Sequence, residues 1–107
     1  MLSLDHNQPI RSVSEVTTEA RALLEEAYPL IQIEGEVSNF RQPTSGHWYF
    51  SLKDDRSQIR CAMFDNLNRS IRQPISDGIH VVIRAKQTLY QSRGDFQAIV
   101  EHIEPAG

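Results

Sequence analysis

Among 107 residues the sequence holds a single cysteine, Cys61. That excludes an intramolecular disulfide and any zinc site built from several thiolates. No apolar run approaches the roughly 18 residues of a membrane span. The opening MLSLDHNQPIRS lacks the basic-then-apolar order of a signal peptide. A soluble, cytoplasmic chain with no membrane partner is therefore expected. Positive charge is also not in surplus, because the formal net charge is −3. Residues 1 to 29 hold two basic side chains (Arg11, Arg21) and five acidic ones (Asp5, Glu15, Glu19, Glu25, Glu26), which leaves nine of each sign in the remainder. Bulk charge gives no case for nucleic acid, and only local clustering could build a positive groove.

Signatures of catalysis are missing as well. His6, His47, His80 and His102 show neither metal-ligand spacing nor a short-range pairing with carboxylates. Asp54 and Asp55 adjoin, but in a turn, where aspartate serves the backbone. Cys61 alternates with Ile59 and Met63 and reads as a buried structural thiol rather than a nucleophile. Ser45-Gly46 precedes a strand, which removes a phosphate-loop reading. The chain on its own is expected to be no enzyme, with no metal and no cofactor.

What is present divides by period. Residues 1–11 are polar, carry Pro9, and read as a flexible arm. In SVSEVTTEARALLEEAYP, Ser12 and Glu15 have capping-box spacing, and Val13, Val16, Ala20, Leu23, Leu24 and Ala27 recur at helical intervals before Pro29. One amphipathic helix over about 13–28, lying on the remainder of the chain, is predicted. From residue 30 the period falls to two. LIQIEGEVSNF sets Ile31, Ile33, Gly35 and Val37 on one face, with Gly35 permitting the bend that a small barrel needs. RQPTSG is a loop. GHWYFSLKDDRSQIRCAMF gives two strands joined by a turn at DDRS. NLNRSIRQP makes a short helix ending near Pro74, and IHVVIRAKQTLY and DFQAIVEHI pair across QSRG.

A helix, three strands, a helical connector and two strands point to a mainly β domain over residues 12–107: a five-stranded OB-fold barrel with a leading helix and a short helical connector between strands 3 and 4. A two-layer α+β sheet is the rival architecture. The barrel is favoured because the strands are short, amphipathic and bent by glycine.

The turn at Asp55-Arg56 sets the pairing of its flanking strands, Lys53 with Gln58 back to His47 with Phe64. One face then collects Trp48, Phe50, Leu52, Ile59, Cys61 and Met63, all apolar. The other collects His47, Tyr49, Ser51, Lys53, Gln58, Arg60, Ala62 and Phe64. A slip of one residue would destroy this separation. Tyr49 and Phe64 therefore lie among cations on a polar face, as bases that stack on rings and phosphates that pair with arginine require. The loops of such a fold repeat the pattern: Phe40 and Arg41 open the first, Tyr90 and Arg93 flank the last, and Arg84 and Lys86 line strand 4. Under the alternative, Phe40 and Tyr90 cap barrel ends and the arginines form a solvated rim.

GEVSNFRQPTSGHWYFSLKDDRSQIRCAMF strongly resembles the amino-terminal region of the large subunit of bacterial exonuclease VII. LYQSRGDFQAIVEHIEPAG and SVSEV continue the resemblance. It implies an OB fold that binds DNA within a nuclease acting on single strands from both ends. A downstream catalytic domain and a helical region binding a small subunit would be further partners. Their residues have no counterparts in this sequence, and the chain is expected to be an excised domain. By motif position, Phe40, Tyr49, Arg60, Phe64, Tyr90 and Arg93 match residues expected on the DNA side. Asp65, after CAMF, stands where such proteins often carry a basic residue. The expected function is non-catalytic binding of single-stranded DNA. An RNA-binding module of the anticodon-binding type and an assembly module are the alternatives.

Overall fold

In the computed structural model, residues 3–90 and 92–107 are described. The chain runs α1 (Val13–Ala27), β1 (Ile31–Arg41), β2 (Trp48–Lys53), β3 (Gln58–Met63), α2 (Asp65–Asn68), β4 (His80–Tyr90) and β5 (Asp95–Pro105). The strands close into a barrel in the order β1-β2-β3-β5-β4, with β4 returning to β1. All pairings are antiparallel except β3 with β5, which is parallel. The five-stranded barrel with its leading helix and short connector is the architecture expected of an OB fold.

The core follows from period-two alternation. Val37, Phe50, Leu52, Cys61, Met63, Val81, Ile83, Ala85, Ala98, Val100 and Ile103 point inward and are buried, with Trp48 at their margin. Each fully buried aliphatic side chain contributes about 1.5–3 kcal/mol relative to exposure. The β2–β3 register is the expected one, from Trp48 opposite Met63 to Lys53 opposite Gln58. Asp54 closes the turn. Its Oδ1 accepts the N–H groups of Arg56 and Ser57, both at 2.9 Å. These bonds hold its carboxyl below the ordinary carboxylate value. Gly35 is needed for close approach, since a Cβ there would meet Leu52 Cγ at 2.8 Å and the Lys53 carbonyl oxygen at 2.9 Å.

Two expectations change. The capping box forms, with Ser12 Oγ accepting the Glu15 N–H at 3.0 Å and Glu15 Oε1 accepting the Ser12 N–H at 3.2 Å. But α1 covers the barrel only partly: it packs on β4 with Thr17, Ala20, Arg21 and Leu24 half-buried, and none of its residues is fully buried. It is fastened near its carboxyl end, where Thr88 Oγ1 donates to Glu25 at 3.1 Å and the Gln87 N–H to the Tyr28 carbonyl at 3.3 Å. Val13 and Leu23 stay 82% and 61% exposed. The radius of gyration, 17.0 Å, consequently exceeds the roughly 13 Å of a compact chain of this length. The second change is α2, which stops at Asn68 rather than near Pro74. The Asn68 side chain turns inward and donates to the carbonyls of Gly46 and Met63 at 2.9 and 3.1 Å. Beyond it Ile71 and Ile75 pack against the core from non-helical chain. Of the expected arm, Met1 and Leu2 lie outside the described residues, as does Gln91 of the last turn.

Candidate nucleic-acid interface

The outer face of β2 and β3 becomes a site through an irregularity in β1. Ser38 pairs with Ser51 and Arg41 with Tyr49, so two residues of β1 stand against one of β2. This is a β-bulge, and Asn39 absorbs it at φ 53°, in the left-handed region that asparagine tolerates. The bulge inverts the alternation beyond it. Phe40 turns inward, its ring centroid 5.4 Å from Trp48 and 6.2 Å from Phe50. Arg41 turns outward, its guanidinium 6.0 Å from the Tyr49 ring centroid. The Asp77 carboxylate fixes the crossing by accepting the Phe40 N–H at 2.8 Å.

Barrel closure brings the remaining groups together. Arg60 pairs with Gln97 across the parallel β3–β5 junction, and Tyr90 with Asp95 in the β4–β5 hairpin. Tyr49, Arg60, Tyr90, Arg93, Asp95 and Gln97 thereby line one open cavity of about 290 Å³. A second of the same volume joins it at Tyr49, Arg60 and Gln97 and extends to Asn39, Arg41 and Ser51. Three arginines and two tyrosines thus face one aspartate in a continuous cleft. Tyr90 is 51% exposed, and Tyr49 is half-buried. Arg60 reaches Asp95 only at 3.8 Å, so its donors remain free for a ligand.

His47 and Phe64 lie beside Tyr49 through ring contacts rather than in the lining of the cleft. The His47 ring is edge-on to Phe64 at 5.2 Å and to Tyr49 at 6.5 Å, and Phe64 is 40% exposed. The Asp65 N–H donates to His47 Nδ1 at 3.0 Å, and the Asp65 carboxylate lies 3.4 Å from the same nitrogen. The acid at this position is therefore turned onto the histidine.

Other candidate residues lie elsewhere. Lys53 sits 3.8 Å from Glu36 and borders a separate groove at the barrel end, lined by Ile33, Leu52, Ile59 and Phe96. Arg84 faces Gln32, His102 and Glu104 on another side of the barrel, and Lys86 is exposed opposite Ile99. Sequence reasoning did not name Asn39, Asp95 or Gln97. Asn39 had a readable signal, a turn-prone residue inside a strand, whereas Gln97 enters through a parallel pairing with no local trace. Cys61 is 3% exposed, and burial pushes its thiol up to about 12, so it stays protonated. Among the described residues no group of three or more histidine, cysteine or acidic side chains could hold a metal ion, and no helix is long and apolar enough to cross a membrane.

Residues 11–104 match the model of the OB-fold nucleic acid binding domain family. The chain belongs to this family. The OB domain is also 55% identical over 96 residues to the exodeoxyribonuclease 7 large subunit of Alcanivorax borkumensis, covering 90% of this chain and 21% of that protein. It is 50% identical over 107 residues to the same subunit of Hahella chejuensis, covering 100% of this chain and 24% of that protein. The OB domain thus spans less than a quarter of these relatives and is homologous to their amino-terminal part. Among solved structures, a replication protein A heterotrimer bound to ssDNA superposes with a TM-score of 0.57 at 15% identity, over 73% of this chain and 57% of that one. Asparaginyl-tRNA synthetase of Entamoeba histolytica gives 0.63 at 13% identity, over 73% of this chain and 20% of that one. These two likenesses show the fold.

Proposed function

We propose that this OB domain is a non-catalytic grip for single-stranded DNA, serving a cytoplasmic nuclease resembling exonuclease VII. In this reading it needs no cofactor of its own and hands its strand to a catalytic domain outside the described chain. The small subunit would bind through regions that are also outside it. The observation that carries the reading is the cleft in which Tyr49 and Tyr90 stand among Arg41, Arg60 and Arg93. Rings stack on any base, and guanidinium groups neutralise phosphates, which is the chemistry of sequence-tolerant single-strand binding. Each stacked base contributes about 1–3 kcal/mol, so two or three rings with few phosphate contacts give a dissociation constant near micromolar, about −8 kcal/mol. Tight action then requires several domains engaging one strand.

Fluorescence anisotropy with a labelled dT oligomer of about 15 nucleotides tests this, with duplex DNA as competitor and an oligo-rU arm. The expected result is preferential binding of single-stranded DNA that weakens with salt. Equal or tighter binding of the ribo-oligomer would move the reading to an RNA module, and no binding at low salt would remove the nucleic-acid grip. A second reading, an assembly module, draws on the exposed Val13, Val16 and Leu23 of α1. It predicts concentration-dependent oligomers in sedimentation and indifference to the loss of Tyr49 and Phe64.

A further inference from the structure

A carboxylate in a cleft proposed to take phosphates is electrostatically out of place, yet Asp95 sits beside Arg60 in the part of it lined by Tyr49, Tyr90 and Arg93. The two are not spent on each other. At 3.8 Å between Arg60 Nη1 and Asp95 Oδ2 there is no hydrogen bond, and such an exposed pair contributes little to stability. Asp95 makes no other hydrogen bond through its side chain among the described residues, and neither does Gln97, Asn39 or Ser51 around it. The cleft thus places a planar two-donor fork and a two-acceptor carboxylate side by side, next to the stacking ring of Tyr49.

We propose that Arg60 and Asp95 form a guanine-reading pair within this cleft, an inference that rests on the single-strand reading above. Guanine combines an edge of two adjacent acceptors, O6 and N7, with an edge of two adjacent donors, N1–H and N2–H. The arginine fork matches the first edge and the carboxylate the second. Adenine, cytosine and thymine lack the two-donor edge. A single-stranded base exposes both edges at once, so a splayed guanine stacked on the cleft's ring can meet both groups. Asp95 therefore has opposite effects on two ligand features, repelling phosphates while selecting one base.

That opposition supplies the test. The same labelled dT oligomer is compared with versions carrying one central dG, dA, dC or deoxyinosine, against wild type, Asp95→Asn and Arg60→Lys. For wild type the dG oligomer is expected to bind at least about fivefold tighter than plain dT, with deoxyinosine, which lacks the N2 donor, losing most of that gain. Asp95→Asn raises affinity for plain dT and abolishes the dG preference. Arg60→Lys keeps the charge but loses the dG preference, because an ammonium has no planar fork. Equal binding of the dG and dT oligomers by wild type overturns the guanine pair and leaves the single-strand reading standing. Retention of the preference in either variant overturns the pair as well. If wild type binds no oligomer, the single-strand reading fails and the guanine pair falls with it.

Discussion

Two sets of cations on this barrel look alike in the sequence and differ in the fold. Arg60 and Arg93 lie in one cleft with Tyr49 and Tyr90, although they come from β3 and the β4–β5 turn. Arg84 and Lys86 lie together on β4, where Arg84 borders Gln32, His102 and Glu104 and no aromatic ring. The barrel's closure makes the difference, because the parallel β3–β5 junction carries Gln97 next to Arg60 and brings the last hairpin over Tyr49. A cation near a stacking ring serves both phosphate and base, whereas a cation with no ring beside it offers a strand only its charge. The lesson is that binding capacity on an OB barrel belongs to places where strands from distant parts of the chain bring rings and charges together.

The comparison breaks most decisively at the rings. Tyr49→Ala with Phe64→Ala removes two stacking surfaces, each worth about 1–3 kcal/mol. Anisotropy against oligo-dT should show affinity falling by at least about tenfold, with circular dichroism and melting temperature nearly unchanged, since both rings lie outside the core. Phe40→Ala sharpens the contrast from the other side. Its ring packs on Trp48 and Phe50, so truncation should cost about 2 kcal/mol of stability in denaturant melts. Binding measured well below the melting transition should change much less than in the ring double variant.

The contrast between Phe40 and Tyr49 also marks how far the sequence could be read. Strict alternation in WYFSLK and QIRCAM, joined by a tight aspartate turn, specified the β2–β3 register and therefore the outward placing of Tyr49 and Arg60. The capping box was equally legible, since Ser12 and Glu15 interact within one turn. Phe40 was grouped with the cleft because a bulge inverts alternation, and the one local signal of that bulge was Asn39, a turn-prone residue inside a strand. The extent of α1 packing was hidden for a different reason. Helical spacing of apolar residues shows that a stripe exists, not whether the neighbouring strands provide a surface for it. Asp95 and Gln97 were missed because the parallel pairing that positions Gln97 joins segments more than thirty residues apart.

Charge removal within the cleft is expected to have the next largest effect. Arg60→Ala with Arg93→Ala should weaken oligo-dT binding by about five- to tenfold at low salt. If both groups neutralise phosphates, the slope of log affinity against log salt should shrink by about 1.4, at roughly 0.7 per phosphate contact on a single strand. A drop in affinity with an unchanged slope would show that these arginines act on bases or on the rings' positions instead.

The smallest effect is expected on the other side. Arg84→Ala with Lys86→Ala removes the same number of positive charges from the same small barrel, so any influence through overall charge would be equal. A Debye length of about 8 Å at physiological ionic strength screens charges that do not touch the strand. The expected outcome at that ionic strength is a change in oligo-dT affinity below about twofold. At low salt, where the screening length grows severalfold, a modest loss should appear and then vanish as salt is added. If this pair instead matches the loss caused by Arg60 and Arg93 at physiological salt, the strand must wrap onto β4. The binding surface would then be a path around the barrel rather than one cleft, and Lys86 would be the point at which to look for its continuation.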